Sequence, residues 1–183
     1  MTARTTKPRC VLLDANIVIE AHALKIWTEL KDRYELILPS IVVINEAKYF
    51  YSAKRRSKSI RLGEQITRGE VRQLTATAEE YAQLYEKFDS VFRDTLDPGE
   101  TEALALLQAN RASEAFFCTS DAPAIKALAM LGLSNRGISM EMLMSKIGLA
   151  KKLKKWFTED FFKTNIKHGQ IARVTGEGLL KPI

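Results

Sequence analysis

Short apolar runs of strand type alternate along this chain with longer stretches of helical period, and that alternation is the pattern of a parallel sheet covered by helices. Cys10 to Leu13 suits a strand buried on both faces. Ala15 to Tyr34 follows as a helix with Ile17, Ile19, Ala23, Leu24 and Trp27 apolar. Glu35 to Leu38 reads as a second strand, after which Ser40 supplies an N-cap for a helix predicted over Ile41 to Arg55. Residues 57–77 leave a short helix, a hairpin or a strand at Val71 to Leu74 open. Ala78 to Asp94 is expected as one helix with an aromatic stripe, and Asp97-Pro98-Gly99-Glu100 opens another through Asn110. Ala115 to Cys118 is the next strand. Asp121 then starts a helix ending at Gly132, and Gly137 to Ser139 forms a last short strand before Met140 to Ile147. The expected fold is α/β, a three-layer α/β/α arrangement with a central parallel sheet over residues 1–148 and a C-terminal helical extension over 149–183.

Length and composition agree with one compact unit. The chain has 183 residues, 46% hydrophobic and 27% charged, enough apolar material for one sizeable core. The longest apolar stretch, Ala127 to Leu133, is seven residues, against the roughly 20 that span a bilayer. No membrane association is expected. The polar, basic opening MTARTTKPRC offers no hydrophobic region for secretion, so the expected compartment is the cytoplasm. Cys10 and Cys118 are too few for a disulfide scaffold, and with only His22 and His168 no zinc-type spacing can be written.

The net charge is +6, and the last 33 residues carry +5 of it. A second basic cluster comprises Lys54, Arg55, Arg56, Lys58 and Arg61. Both are candidate contacts for a polyanion, and both also fit solvated surface. In the tail, Leu149, Leu153, Trp156, Phe157 and Phe161 recur at helical spacing, which predicts a helix docked on the domain.

In an open α/β sheet the functional crevice lies at the carboxyl ends of the strands. Asp14 and Asp121 both follow predicted strands, where an N-cap role is the structural alternative and is compatible with a functional one. Glu46 lies on or beside the apolar stripe of SIVVINEAKYF, a costly place for a carboxylate without a cation or donors to meet it. Glu100 fits a capping box with Asp97, yet heads the stripe of Ala103, Leu104 and Leu107. Glu102 lies on another face, so Glu100 is the favoured functional carboxylate. Acidic side chains gathered without histidine partners select hard cations, Mg²⁺ or Mn²⁺. Such a site can hold a phosphodiester and activate water.

These segments resemble the PIN-domain family of metal-dependent ribonucleases, which includes the toxins of many toxin-antitoxin pairs. LLDANIVIE looks like its opening strand, with Asp14 and, two positions on, Asn16. SIVVINEAKYF looks like its second motif, with Glu46; DPGETEALALL like its third, with Glu100; and CTSDAPAIKAL like its fourth, with Thr119 and Asp121. The four occur in the family's order across residues 9–148. The resemblance implies a single-stranded RNA substrate, Mg²⁺ or Mn²⁺ held by Asp14, Glu46, Glu100 and Asp121, support from Thr119 and Asn16, frequent homodimers and, for toxin members, an antitoxin protein as partner. Lys54, Arg55, Arg56 and Lys58 are then expected on the RNA backbone. Residues 151–183 run past the family's usual end.

Three alternatives stand beside this reading. An aspartyl-phosphate phosphatase usually needs a second aspartate two residues after the nucleophile, where this chain has Asn16. A receiver-type phosphoacceptor lacks its acidic pair, and P-loop, dinucleotide and GxSxG motifs are absent. A catalytically inactive PIN-like RNA-binding or scaffold protein is the remaining alternative, supported by the basic tail.

Overall fold

The computed structural model describes residues 10–51 and 56–180. Four parallel strand pairings build the sheet: β1 (Cys10–Leu13), β2 (Glu35–Pro39), β5 (Arg72–Leu74), β6 (Ala115–Cys118) and β7 (Gly137–Ile138) lie in the order β5-β2-β1-β6-β7. A separate antiparallel ribbon pairs β3 (Tyr49–Tyr51) with β4 (Ser57–Ser59). The central strand β1 is apolar throughout, as a strand covered on both faces must be. Val11, Leu13, Leu36 and Leu38 point into one core with α1 (Ala15–Ala23), α2 (Trp27–Arg33), α3 (Leu62–Thr67) and α8 (Met140–Ser145). Leu12, Ile37, Ala115 and Phe117 point into the other, with α4 (Ala78–Tyr85), α5 (Ser90–Arg93), α6 (Pro98–Gln108) and α7 (Ala122–Met130). The result is a three-layer α/β/α fold with a C-terminal helix, α9 (Glu159–Thr175), added outside α7. Among the described residues no helix is long and apolar enough to cross a membrane.

The chain runs outward from β1 to β2 and β5, then returns to the other side of β1 with β6. That reversal makes the carboxyl ends of β1 and β6 the topological switch point, where open α/β sheets place their ligand crevice. Asp14 and Asp121 follow those two strand ends.

Four expected helices take a different form. Residues 15–34 break into α1 and α2 because Lys25 adopts a left-handed φ of 60°. Residues 78–94 break into α4 and α5, where Asp89 accepts from Phe92 N at 2.8 Å and starts a new helix. Over the described part of the helix expected at Ile41–Arg55 there is a single π-helical stretch at Val42–Glu46 followed by β3, and of the basic cluster Lys58 lies on β4 with Arg56 just before it and Arg61 at the start of α3. Val, Ile, Tyr and Phe favour extended backbone, and Tyr49-Phe50-Tyr51 alternates exposed, half-buried, exposed. Lys54 and Arg55 fall outside the described residues. In the tail, residues 149–154 are not helical, and Trp156, expected in the buried stripe, is 48% exposed.

Phe157 is nevertheless buried in the first core with Leu149 and Leu153 packed against it, and the docked face of α9 itself is Phe162, Asn165, Ile166, Gly169 and Ala172. At Gly169 an added Cβ would stand 2.3 Å from Lys126 O and 2.7 Å from Ala129 Cβ, so the missing side chain lets α9 lie directly on α7. The tail then closes on the α4–α5 junction through an antiparallel bridge between Phe88 and Leu179.

Candidate metal and catalytic site

β1 ends by hydrogen-bonding Asp14 N to Cys118 O at 3.1 Å, which places Asp14 beside the end of β6. Asp14 occupies the N-cap position of α1 without making a side-chain capping bond. Its Oδ2 accepts from Thr119 Oγ1 at 3.2 Å, and the same hydroxyl oxygen accepts from Asp121 N at 3.1 Å. Thr119, 2% exposed, therefore ties the two strand-end aspartates together. Asp121 does cap its helix, Oδ1 accepting from Ala124 N at 3.4 Å.

Glu100 enters from α6. Its Oε2 accepts from Asp97 N at 3.2 Å, the reciprocal arm of a capping box, whereas Oε1 is buried with no hydrogen-bond partner among the described residues. Glu46 comes from the π-helical stretch and lies across the N-terminus of α6, accepting from Gly99 N at 3.0 Å. π-Helical turns recur at functional sites because they re-aim a side chain within a helix. Here the space is made by Gly99, whose Cβ would stand 2.2 Å from Glu46 Oε2.

The electrostatics follow from this placement. Burial pushes Asp14 up to about 7, Thr119 and the Ala15 N–H oppose the shift, and the charges of Glu46 and Asp121 add to it. Burial likewise pushes Glu100 up to about 9, reinforced by Asp14 and Asp121. Glu46 and Asp121 are both raised, chiefly by desolvation, with their backbone donors at Gly99 and Ala124 working the other way. The neighbouring charges that raise these groups are other carboxylates, a costly arrangement for a metal-free protein.

Asp14, Glu46, Glu100 and Asp121 thus lie within electrostatic reach of one another through these pairs, with Thr119 bonded to two of them. Asn16 is exposed on the first turn of α1. Arg56 and Lys58 are exposed on and beside β4. Among the described residues, no group of three or more His, Cys, Asp or Glu side chains is placed closely enough, as it stands, to hold a metal ion. Glu102 is 1% exposed and fully engaged, accepting from Ser40 Oγ at 2.7 Å, Ile41 N at 2.8 Å and Ala76 N at 3.1 Å. It stitches the ends of β2 and β5 to α6, a structural task, and the contrast with the unpartnered Glu100 Oε1 separates the two glutamates.

Two participants escaped the sequence reading. Asp97, regarded there only as an N-cap, is exposed and adds to the raised values of Glu46, Glu100 and Asp121. Gly99 makes room for Glu46. Both belong to the DPGE segment already singled out for Glu100, which is the signal that could have found them. No protein-family model matches the chain, and no curated protein sequence matches it.

Proposed function

We propose that the protein is a metal-dependent endoribonuclease of the PIN-domain kind, hydrolysing phosphodiester bonds of single-stranded RNA with Asp14, Glu46, Glu100 and Asp121 as the residues that hold Mg²⁺ or Mn²⁺. The observation that carries this reading is the buried pair Asp14 and Glu100, with the half-buried Asp121 repelling both, at the switch point of the sheet, and one Glu100 oxygen left unpartnered among the described residues. A native fold rarely leaves a buried acceptor unmade unless something else uses it. An all-oxygen donor set fits a hard cation. When bound, such an ion supplies a nucleophilic water at neutral pH and neutralises charge on the departing oxygen.

The chain's own residues supply the rest. Thr119 fixes the rotamer of Asp14 by donating to Oδ2 and is itself held by Asp121 N. Gly99 N holds Glu46 from the opposite side, and Asp97 N fixes one oxygen of Glu100 so that the other is free to act. Arg56 and Lys58, exposed on and beside β4, provide positive charge for the RNA backbone, the role also proposed from the sequence for Lys54 and Arg55.

The test is incubation of the full chain with an end-labelled single-stranded RNA in Mn²⁺, in Mg²⁺ and in EDTA. Internal cleavage products that need the metal and vanish in Asp14→Asn are the expected result. Binding without cleavage in either metal would favour the inactive RNA-binding alternative. Cleavage that persists in EDTA, or at full rate in Asp14→Asn, would reject the site.

A further inference from the structure

The ribbon that follows Glu46 carries two tyrosines that the fold does not use. Tyr49 is 58% exposed and Tyr51 70% exposed, whereas Phe50 between them turns inward to meet His22 at 5.6 Å between ring centroids. Alternate residues of a strand share a face, so the two phenol rings stand on the outer face roughly 7 Å apart along β3. Directly opposite them on β4 are Ser59 and Ser57. Neither is large enough to cover a ring, and among the described residues the aromatic faces stay open.

Charge identifies the occupant. Between Ala47 and Arg61 the sequence holds Lys48, Lys54, Arg55, Arg56, Lys58 and Arg61 and no acidic residue, so this segment alone carries +6, equal to the net charge of the protein. Exposed rings set in positive charge match single-stranded nucleic acid, whose bases offer π-faces and whose backbone offers phosphates. A duplex hides its base faces in the stack and cannot use the rings in this way.

The ribbon is also tied to the candidate site. Lys48 N donates to Glu46 O at 3.1 Å, and Ile60 N donates to Lys48 O at 2.7 Å, which anchors both strands at the end of the π-helical stretch. Three residues of chain place Tyr49 within about 11 Å of Glu46.

We infer that Tyr49 and Tyr51 form a base-stacking platform that selects single-stranded RNA and feeds it toward Glu46 and its neighbouring carboxylates. This rests on the nuclease reading for its substrate, but base stacking and cleavage are separable. The rings take bases without reading their sequence, and the exposed cations described along the ribbon, Lys48, Arg56 and Lys58, take phosphates.

The experiment is fluorescence anisotropy with a labelled 12-nucleotide single-stranded RNA, and with the same sequence as a duplex, in EDTA across a salt series. Metal-dependent cleavage by the same preparations is followed in parallel. Tyr49→Ala/Tyr51→Ala is expected to weaken single-strand binding by about tenfold to a hundredfold. The salt slope should be unchanged because no phosphate contact is lost, and duplex binding should be unaffected. Tyr49→Phe/Tyr51→Phe, which keeps the rings, should bind as the parent does. Equal single-strand affinity in the parent and the double alanine variant, or an equal loss for duplex and single strand, overturns the platform whether or not the protein cleaves RNA. Tyrosine-dependent binding by a parent protein that fails to cleave in either metal would uphold the platform and reject the nuclease.

Discussion

Asp14 tests the chemistry with the least disturbance. Asparagine keeps the size of the side chain and an oxygen for the Thr119 hydroxyl, but removes a charge that burial and two neighbouring carboxylates already disfavour. RNA cleavage by Asp14→Asn is expected to fall at least about a hundredfold, equivalent to roughly 2.7 kcal/mol of transition-state stabilisation. The metal-free melting temperature should stay level or rise, since repulsion is relieved. A variant that melts well below the parent would make Asp14 a structural residue. Gly99 gives an independent check at the opposite wall. Alanine is a better helix former by roughly 0.5–1 kcal/mol, yet its Cβ would displace the Glu46 carboxylate from Gly99 N. Gly99→Ala should therefore change stability by no more than about 1 kcal/mol in a urea melt while cleavage drops about tenfold or more. Unchanged cleavage would show that the position of Glu46 is immaterial.

Whole elements are held by equally specific contacts. Because α9 packs on α7 through Gly169, Gly169→Val forces a branched side chain against Lys126 O and Ala129 Cβ. Overpacking of this kind is expected to cost about 1–3 kcal/mol, measured by denaturant unfolding. A cost near zero would mean that α9 is not docked in solution. This contact explains the limit of what the tail disclosed: beside Phe162, Ile166 and Ala172 the docked stripe contains a glycine and Asn165, which carry no hydrophobic signal, whereas Trp156 carries a strong one and is 48% exposed. Strands were easier to read. The segments at Cys10, Glu35 and Ala115 stand out because both faces are covered and the residues of the strand interior, after a half-buried first position in two of them, must be apolar. The break at Lys25 left no trace, since lysine is an ordinary helix residue and only tertiary packing puts it at positive φ. The mistaken helix after Ile41 came from apolar spacing that serves a π-helical turn and a hairpin equally well. In the candidate site, Asp14, Glu100 and Asp121 were legible as ends of elements. The meeting of Glu46 with Gly99, 53 residues away, was not, because spacing within a motif says nothing about contacts between motifs.

For the molecule as a whole, the buried carboxylates dictate how stability changes with pH. Below about pH 4 the reference carboxyls are protonated in folded and unfolded chains alike, and these groups make no difference. As pH rises, the unfolded chain loses its protons first, while the folded protein keeps those on Asp14 up to about 7 and on Glu100 up to about 9. The folded state then binds more protons than the unfolded one, so stability must fall with pH across this window and level off above it. The protein's positive charge acts in the opposite sense, since self-repulsion in a chain of net charge +6 eases as pH rises. Subtracting the curve of Asp14→Asn from that of the parent removes this background, and the difference should grow steadily in favour of the variant between about pH 4 and pH 7. A divalent ion binds the ionised carboxylates and competes with protons, so its effect should run against the metal-free slope. At a concentration a hundredfold above its Kd it would add about 2.7 kcal/mol, or roughly 5–10 °C for a chain of this size. Melting curves of the parent in EDTA and in Mn²⁺ should therefore nearly coincide at pH 5 and separate by that amount at pH 8, with the separation much reduced in Asp14→Asn. An equal Mn²⁺ shift at both pH values, or one undiminished in the variant, would mean that the ion binds elsewhere and that these carboxylates are buried for another reason.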